Sequence, residues 1–537
     1  MLDQRSDQQR LAGTGELTWL ALRRDRVMAP LWALGIAVLT VSTASSFRKL
    51  YPTVASRIPF AHTVETNSGL VALTGKPFDM TSIGGMTAWR VGASGALLTA
   101  IVSQLLVVRH TRAEEESNRL ELLGSGVVGR FAPLTAALLT ALIFNLGVLV
   151  LVALVLIGLG LPAVGSIALG LGFASCGITF AAVAAVSAQL TESGRAANGI
   201  GSALIGAAYL ARAVGDSTGP PVLSWLSPIG WSQQLQAFAG ERWWVPVMAA
   251  GSAGVIAGTG YVLTGRRDLG AGMLPTRPGP ARAPARLRSA FALAWRLQEG
   301  ALIGWTAGFV VLGAVTGGLA RSVSSMVDGS PQLRDTLNSL GGRQNIVDSY
   351  LAASIGFGGI AAAAYLVQAV LRLYGEETGQ RAEPLLATPT GRLRWALGHL
   401  VVSLLGTTVL LTGLGLAAGL ADGARSGDIS GQLPRLLGAA LVQLFAVWVF
   451  AGVAIVLFGW APKWTPASWG AVVAALIITL VGALLKLNHW LMDLSPFHHL
   501  PALPGGVVDW TSLAWLLTLI VVLCGVGLTG LHRRDLT

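Results

Sequence analysis

The sequence predicts an all-α integral membrane protein whose twelve transmembrane helices form two six-helix repeats. Three observations carry this expectation. The 537 residues are 53% hydrophobic and only 12% charged, about half the charged fraction of a soluble domain, so polar residues are too few to cover a water-exposed surface. Apolar runs of about 20 residues, the length that crosses a hydrocarbon core, recur along the chain. The segments between these runs return in pairs.

The first six runs lie near 27–46, 87–108, 131–158, 165–189, 197–215 and 245–265. The second six lie near 300–320, 350–371, 395–419, 434–458, 467–486 and 512–531. Between the groups, residues 265–289 read "GRRDLGAGMLPTRPGPARAPARLRS"; proline and glycine break helices and the arginines stay in water, so this is an exposed linker. The expected domains are a first six-span unit over 1–264, the linker over 265–289 and a second unit over 290–537. With the linker in the cytoplasm both termini lie there too. Most of the 37 Lys and Arg then fall on that side, Arg23, Arg24, Arg26, Arg533 and Arg534 among them, as the positive-inside rule requires. So many spans follow the first that it reads as a retained helix rather than a cleaved signal peptide.

A net charge of +11 does not point to nucleic acid, because the basic residues sit at the ends of apolar runs rather than on one face or arm. Cys176 and Cys524 each lie inside an apolar run, which argues against a disulfide framework or a CxxC metal site. The seven histidines do not pair at metal-ligand spacing, and His498 and His499 in an outer loop read as solvated. No metal site is expected.

The two halves echo each other. "GRRDL" after the sixth run returns as "HRRDL" after the twelfth, and "LSPIGW" from Leu226 returns as "LSPFHH" from Leu494. Arg23/Arg296, Trp32/Trp305 and Gly35/Gly308 share one offset where the chain enters each half. Six is an even number of spans, so the copies would run parallel. The densest run of carboxylates is repeated as well: "RAEEESNRLELLGSGVVGR", from Arg112, matches "YGEETGQRAEPLLATPTGR", from Tyr374. One offset pairs Glu114/Glu376, Glu115/Glu377, Arg119/Arg381, Glu121/Glu383, Leu123/Leu385, Gly129/Gly391 and Arg130/Arg392. Glu115 with Arg119, and Glu377 with Arg381, are spaced to pair on the surface of a short helix. Leu120, Leu123, Leu385 and Leu386 give that helix an apolar edge, and Gly124, Gly126, Pro384 and Pro389 limit it. Solubility alone requires carboxylates but not this spacing twice, whereas a polar helix presented once per half suits a two-fold partner.

Polar residues at membrane depth are expensive and face the bundle interior. Gln104, Gln368, Asn145, and Arg212 with Asp216 four residues on, are therefore the candidate substrate-path positions. Hydrogen bonding between helices accounts equally well for the amides, Asn198 and Gln443 included. So few charges imply a largely apolar path, suited to a hydrophobic small-molecule substrate. No P-loop is present: "GLVALTGKP" from Gly69 has one residue too many between its glycines and a proline where Ser or Thr must reach magnesium. "ISGQ" from Ile429 stands alone in an outer loop. The chain is thus not expected to be an enzyme or to bind a cofactor itself.

Two six-span units, a basic segment before the first span of each, an acidic loop between spans two and three, and "LSP" before span six together resemble the permease subunits of ABC-2 type exporters, with type V exporter-like repeats. The fused form, with "EE…R.E.LLA.P.GR" in its loop, resembles the actinobacterial permeases described as exporters of polyketide antibiotics, the tetronasin type. The resemblance covers nearly the whole chain. It implies a plasma-membrane permease for multidrug efflux, working with two copies of an ABC ATPase subunit that bind ATP and Mg2+. It further implies coupling helices at 112–124 and 375–388, with Glu114, Glu115, Glu116, Arg119, Glu121, Glu376, Glu377, Arg381 and Glu383 as ATPase-coupling residues. Connecting helices would lie at 11–26 and 286–299, and the "LSP" segments would belong to outer re-entrant helices that close the path. The first loop departs from the pattern, since "ELLGSGVVGR" lacks the prolines of "EPLLATPTGR". A proton-driven twelve-span secondary transporter is the rival, but it would place a Gly-, Asp- and Arg-rich motif after span two and an acid within the spans. A non-transporting membrane scaffold is the third reading.

Overall fold

The computed structural model describes residues 10–65, 68–117, 128–217, 220–268, 270–274, 282, 284, 287, 289–328, 342–481 and 488–534. Every regular element among them is helical. The chain forms two compact units, Met1–Gly279 and Pro280–Thr537.

In unit 1, α1 (Thr14–Arg24) leads into α2 (Met28–Leu50), followed by the short α3 (Val54–Glu65) and α4 (Ser68–Thr74). Next come α5 (Ile83–His110), α6 (Arg112–Glu116), α7 (Ala132–Gly158), α8 (Ala163–Leu190) and α9 (Gly194–Ser217). The unit ends with α10 (Val222–Trp225), α11 (Pro228–Gln234) and α12 (Trp244–Arg266). Unit 2 contains α13 (Ala290–Asp328), α14 (Gly342–Thr378), α15 (Glu383–Leu386), α16 (Arg392–Ser426) and α17 (Ile429–Trp460). A 3-10 turn (Pro462–Ala467), α18 (Ser468–Val481), α19 (His489–Met492), a second 3-10 turn (Pro496–His499) and α20 (Trp510–Arg533) complete it.

Ten of these helices are long and apolar enough to cross a membrane: α2, α5 with α6, α7, α8, α12, α13, α14, α16, α17 and α20. The expected fifth span of each half falls outside that set. α9 is long enough, but Arg195, Asn198, Arg212 and Asp216 interrupt it, and it buries a single stripe that includes Ala197, Gly201, Ile205 and Arg212. α18 is described over 14 residues, and 482–486 of the expected span lie outside the described residues. The separate connecting helix expected at 286–299 is also absent among the described residues. α13 runs unbroken from Ala290 because nothing between Trp295 and Gly308 stops it, whereas α1 ends at Asp25, one turn before α2.

Lipid offers no hydrophobic drive for helices to associate, so close packing must supply it. In unit 1, α8 is the hub and packs on α5, α7 and α12. Its small residues let neighbours approach: a Cβ on Gly177 would lie 1.8 Å from the Asn145 Oδ1 of α7. In unit 2, α16 packs on both α13 and α17. Gly415, Gly419 and Gly423 recur every fourth residue and meet the α17 backbone, and Gly313 and Gly317 of α13 meet the carbonyls of Leu414 and Ala418. Outside these seams many large apolar side chains remain exposed, Val247, Val255 and Ile303 among them, as lipid-facing surfaces require.

The repeated "LSP" is a cap in unit 1. Ser227 accepts a hydrogen bond from the Gly230 amide at 3.3 Å and Pro228 takes the first helical position, where its missing N–H costs nothing. In unit 2 the same letters begin the 3-10 turn, and no side-chain cap bond forms at Ser495.

Adjacent glycines provide a test of the packing. A Cβ at Gly317 would lie 2.1 Å from the Ala418 carbonyl oxygen, while Gly318 has open space. Gly317→Leu is expected to destabilise the purified protein by about 1–3 kcal/mol, and Gly318→Leu to leave thermal unfolding in detergent unchanged.

Candidate functional site

The loop after the second apolar helix was expected to be a helix over 112–124 with outward-facing acids. Among the described residues of this loop in unit 1 the helix covers Arg112–Glu116. Residues 118–127, and with them Arg119 and Glu121, lie outside the described residues. The three consecutive glutamates engage different elements. Glu114 pairs with Arg24 at the end of α1. Glu115 pairs with Arg112 and with Arg267, just beyond α12. Glu116 is exposed, and its Oε2 accepts from the Gly194 amide at 3.0 Å, where the positive end of α9 favours a carboxylate. Arg112 is fully buried and donates to the carbonyls of Gly270 and Ala271 at 3.2 and 3.0 Å.

Unit 2 departs from the expected pairing. Glu377 and Arg381 do not meet as one helical turn, because α14 ends at Thr378 and Gln380 takes a left-handed backbone, φ 55. The turn brings Arg381 back to Glu376 instead, at 3.7 Å, with Arg372 on the same carboxylate at 3.5 Å. Glu377 is buried and pairs with Arg534, just beyond α20. The expected coupling helix at 375–388 is therefore the end of α14, a turn and the four-residue α15. Leu385 and Leu386 pack on the core of unit 2, so they anchor the loop rather than present an apolar edge. Exposed on this loop are Arg381, Glu383, Pro384 and Pro389.

A common geometry joins sequence motifs that a linear reading leaves separate. In unit 1, Arg267 Nη1 donates to Glu115 at 2.8 Å, Arg267 Nε donates to Gln189 near the end of α8, and Arg130 donates to the Arg267 carbonyl at 2.8 Å. In unit 2, Arg534 pairs with Glu377, its guanidinium lies 4.7 Å from the ring centre of Phe458 near the end of α17, and Arg392 donates to the Arg534 carbonyl at 2.7 Å. Each arginine is the second of "RRDL", and Arg130 and Arg392 are the repeated arginine of the loop. Sequence reasoning saw both motifs and missed the contact, since 152 residues separate Glu115 from Arg267 and 157 separate Glu377 from Arg534.

The expected substrate-path residues are engaged in internal bonds. Gln104 Nε2 is buried and donates to the Asn198 carbonyl at 2.9 Å and to Ser202 Oγ at 3.3 Å. Asn145 donates to Ser103 Oγ at 2.8 Å and to the Ala141 carbonyl at 2.7 Å. Gln368 is exposed and accepts from the Trp305 indole at 3.0 Å. Arg212 and Asp216 lie 3.6 Å apart. Arg212 also donates to the Leu73 carbonyl at 3.1 Å, so it caps the end of α4, where a cation suits the helix dipole; Ser224 donates to Asp216 at 2.6 Å.

At the opposite end of unit 1, Phe238 sits in a socket formed by Gly84 and Gly165, where any Cβ would strike its ring. Phe238 and Gln236 both hold left-handed backbones, φ 65 and 55, a strained choice for residues other than glycine. The segment after α11 is thus wedged between the first turns of α5 and α8. In unit 2 an ion pair serves the corresponding ends: Arg435 of α17 holds Asp348 of α14, and lies 3.4 Å from the Pro504 carbonyl.

Asp25 ties the α1–α2 junction to α5 through Arg109, at 3.1 Å, and His110. Burial works to raise its pKa, but the hydrogen bond and charge of His110 and the guanidinium charges of Arg109 and Arg24 outweigh burial and hold the carboxyl below its ordinary value. Such a carboxylate contributes stability that is complete above its unfolded value of about 4 and is lost as pH falls through the lower folded value. In thermal unfolding, Asp25→Asn is expected to fall below wild type near neutral pH, with a deficit that shrinks below about pH 4. An equal deficit at both would contradict the role assigned to this carboxylate.

Residues 287–532, within unit 2, match the family model described as multidrug efflux system permease Rv1217c, C-terminal domain. Over 524 residues the chain is 40% identical to the multidrug efflux system permease protein Rv1217c of Mycobacterium tuberculosis, covering 97% of this chain and 95% of that protein. Similarity of this extent, together with the ten helices among the described residues that are apolar and long enough to span a membrane, places the chain in the family of multidrug efflux system permeases represented by Rv1217c.

Proposed function

We propose that this multi-pass permease is the membrane subunit of an ATP-driven exporter of the ABC-2 type, expelling hydrophobic compounds such as polyketide antibiotics and other drugs across the plasma membrane. The observation that carries the reading is an acid-containing loop after the second apolar helix of each unit, tied by a buried ion pair to the end of that unit's last helix. Two such loops suit two copies of an ABC ATPase subunit, which would bind ATP and Mg2+. The fifth helices, α9 and α18, would complete twelve spans as two parallel six-span repeats, with both termini and both loops cytoplasmic. Closure of the ATPase pair would drive the loops and rock the halves from inward-open to outward-open. The relative's description as a multidrug efflux permease supports a lipophilic cargo, as does the scarcity of charge along the apolar helices.

Within this reading the loop residues divide by role. Glu114, Glu115, Glu376 and Glu377 hold the loop in place, and Arg381, Glu383 and Glu116 lie at the surface where a partner can reach them. The rival, proton-driven reading requires an acid free to load and release a proton inside the bundle. Asp348, buried in unit 2, is instead held by Arg435.

Glu383→Arg is expected to lower co-purification of the ABC ATPase by about tenfold or more without shifting thermal unfolding. Drug transport in vesicles should cease on ATP depletion and survive collapse of the proton gradient. Transport that persists without ATP and stops with the gradient would overturn the proposal.

A further inference from the structure

Arg267 and Arg534 lie outside the loops that face a partner, yet each gathers the ends of four helices. In unit 1, Arg267 immediately follows α12 and holds Glu115 of α6 at 2.8 Å and Gln189 of α8, and its carbonyl accepts from Arg130, two residues before α7. Arg130 also donates to the Thr264 carbonyl of α12 at 3.1 Å. In unit 2, Arg534 immediately follows α20, holds Glu377 of α14, lies over Phe458 of α17, and accepts on its carbonyl from Arg392, the first residue of α16. We propose that Arg267 and Arg534 are positioning residues that carry displacement of each loop to the last helix of the same unit; this rests on the ATP-driven reading above.

The physical reason is the cost of separating these charges. Glu115 and Arg267 side chains are 10% and 5% exposed, and Glu377 and Arg534 are 8% and 15% exposed. Ions with so little water cannot part without leaving a buried unpaired charge, which is strongly unfavourable. A loop pushed from outside therefore takes the helix end with it. The carbonyl bonds from Arg130 and Arg392 fix the arginine backbone, so movement passes into the helix rather than into a swinging side chain. Gln189 and Phe458 occupy the same relative place by different chemistry, one by a hydrogen bond and one by a cation–π contact. The arginine is common to both units while its support differs.

The test uses the full-length permease reconstituted with its ABC ATPase, comparing Arg267→Ala, Arg534→Ala, Arg534→Lys and the exchange Glu377→Arg with Arg534→Glu. The two alanine variants are expected to lower drug transport about tenfold, and to lower ATPase capture and basal ATP hydrolysis by clearly less than that. Arg534→Lys should recover part of the transport, and the exchange should recover transport relative to Arg534→Glu alone. Normal transport in both alanine variants would overturn the inference, as would capture falling in step with transport, since the arginines would then shape the docking surface. Amide hydrogen exchange on the permease alone reads the tie without a partner. Glu377→Gln is expected to speed exchange at residues 528–533 by about tenfold or more, and unchanged exchange there would overturn the inference by itself. A wild-type permease that captures no ABC ATPase would instead overturn the proposed function, leaving the exchange result to decide whether the tie exists.

Discussion

A guanidinium withdrawn from water is costly unless a carboxylate and further acceptors meet it. That requirement governs the loop end of each unit. Arg267 and Arg534 lie beyond the last apolar helix, where the chain is leaving its bundle, and each is held by a glutamate far away in sequence. Meeting the need of one arginine fixes the end of the second helix, the start of the third and the end of the last. The described residues of both acidic loops are thus internally bonded. Their exposed faces are defined by the residues that the ion pairs leave over.

The two loops satisfy the same requirement with different neighbours. In unit 1 the glutamates also engage α1 and α9, so the loop is tied to the basic segment that precedes the first apolar helix. In unit 2 the corresponding segment is continuous with α13, and the loop is instead anchored by Leu385 and Leu386 against the core. The prolines of "EPLLATPTGR" stand beside these leucines and limit α15 to one turn. Among the described residues the two loops differ in anchorage, and Arg381, Glu383 and Pro384 are exposed in the second.

Away from the loops the bundles rely on closeness. Glycines at four-residue spacing along α16 and α13, and the small residues of α8, bring backbones together where an added Cβ would collide. Buried amides, Gln104 and Asn145 of unit 1, spend their donors on neighbouring helices, which is how polar groups are accommodated in a bundle surrounded by lipid. At the end of unit 1 away from the loop, a strained Phe238 fills the space that Gly84 and Gly165 leave open. The corresponding ends in unit 2 are joined through Asp348 and Arg435. The physical character of that closure, apolar in one unit and ionic in the other, follows from side chains and not from the course of the chain.

The sequence by itself determined the membrane class, the place of most long helices and the presence of repeated motifs, because hydropathy and chain-length requirements are local and additive along the chain. It also identified the acidic loops and both "RRDL" segments. It did not reveal that they touch. An i,i+4 rule assigned Glu377 to Arg381, and only the left-handed turn at Gln380, together with an arginine 157 residues away, redirected it to Arg534. Arg212 likewise looked like a lining residue until the fold brought the Leu73 carbonyl to it. Helix existence is encoded in neighbouring residues, whereas the partner of a buried charge is chosen by whatever the packed bundle places within hydrogen-bond reach, and that choice belongs to the tertiary structure.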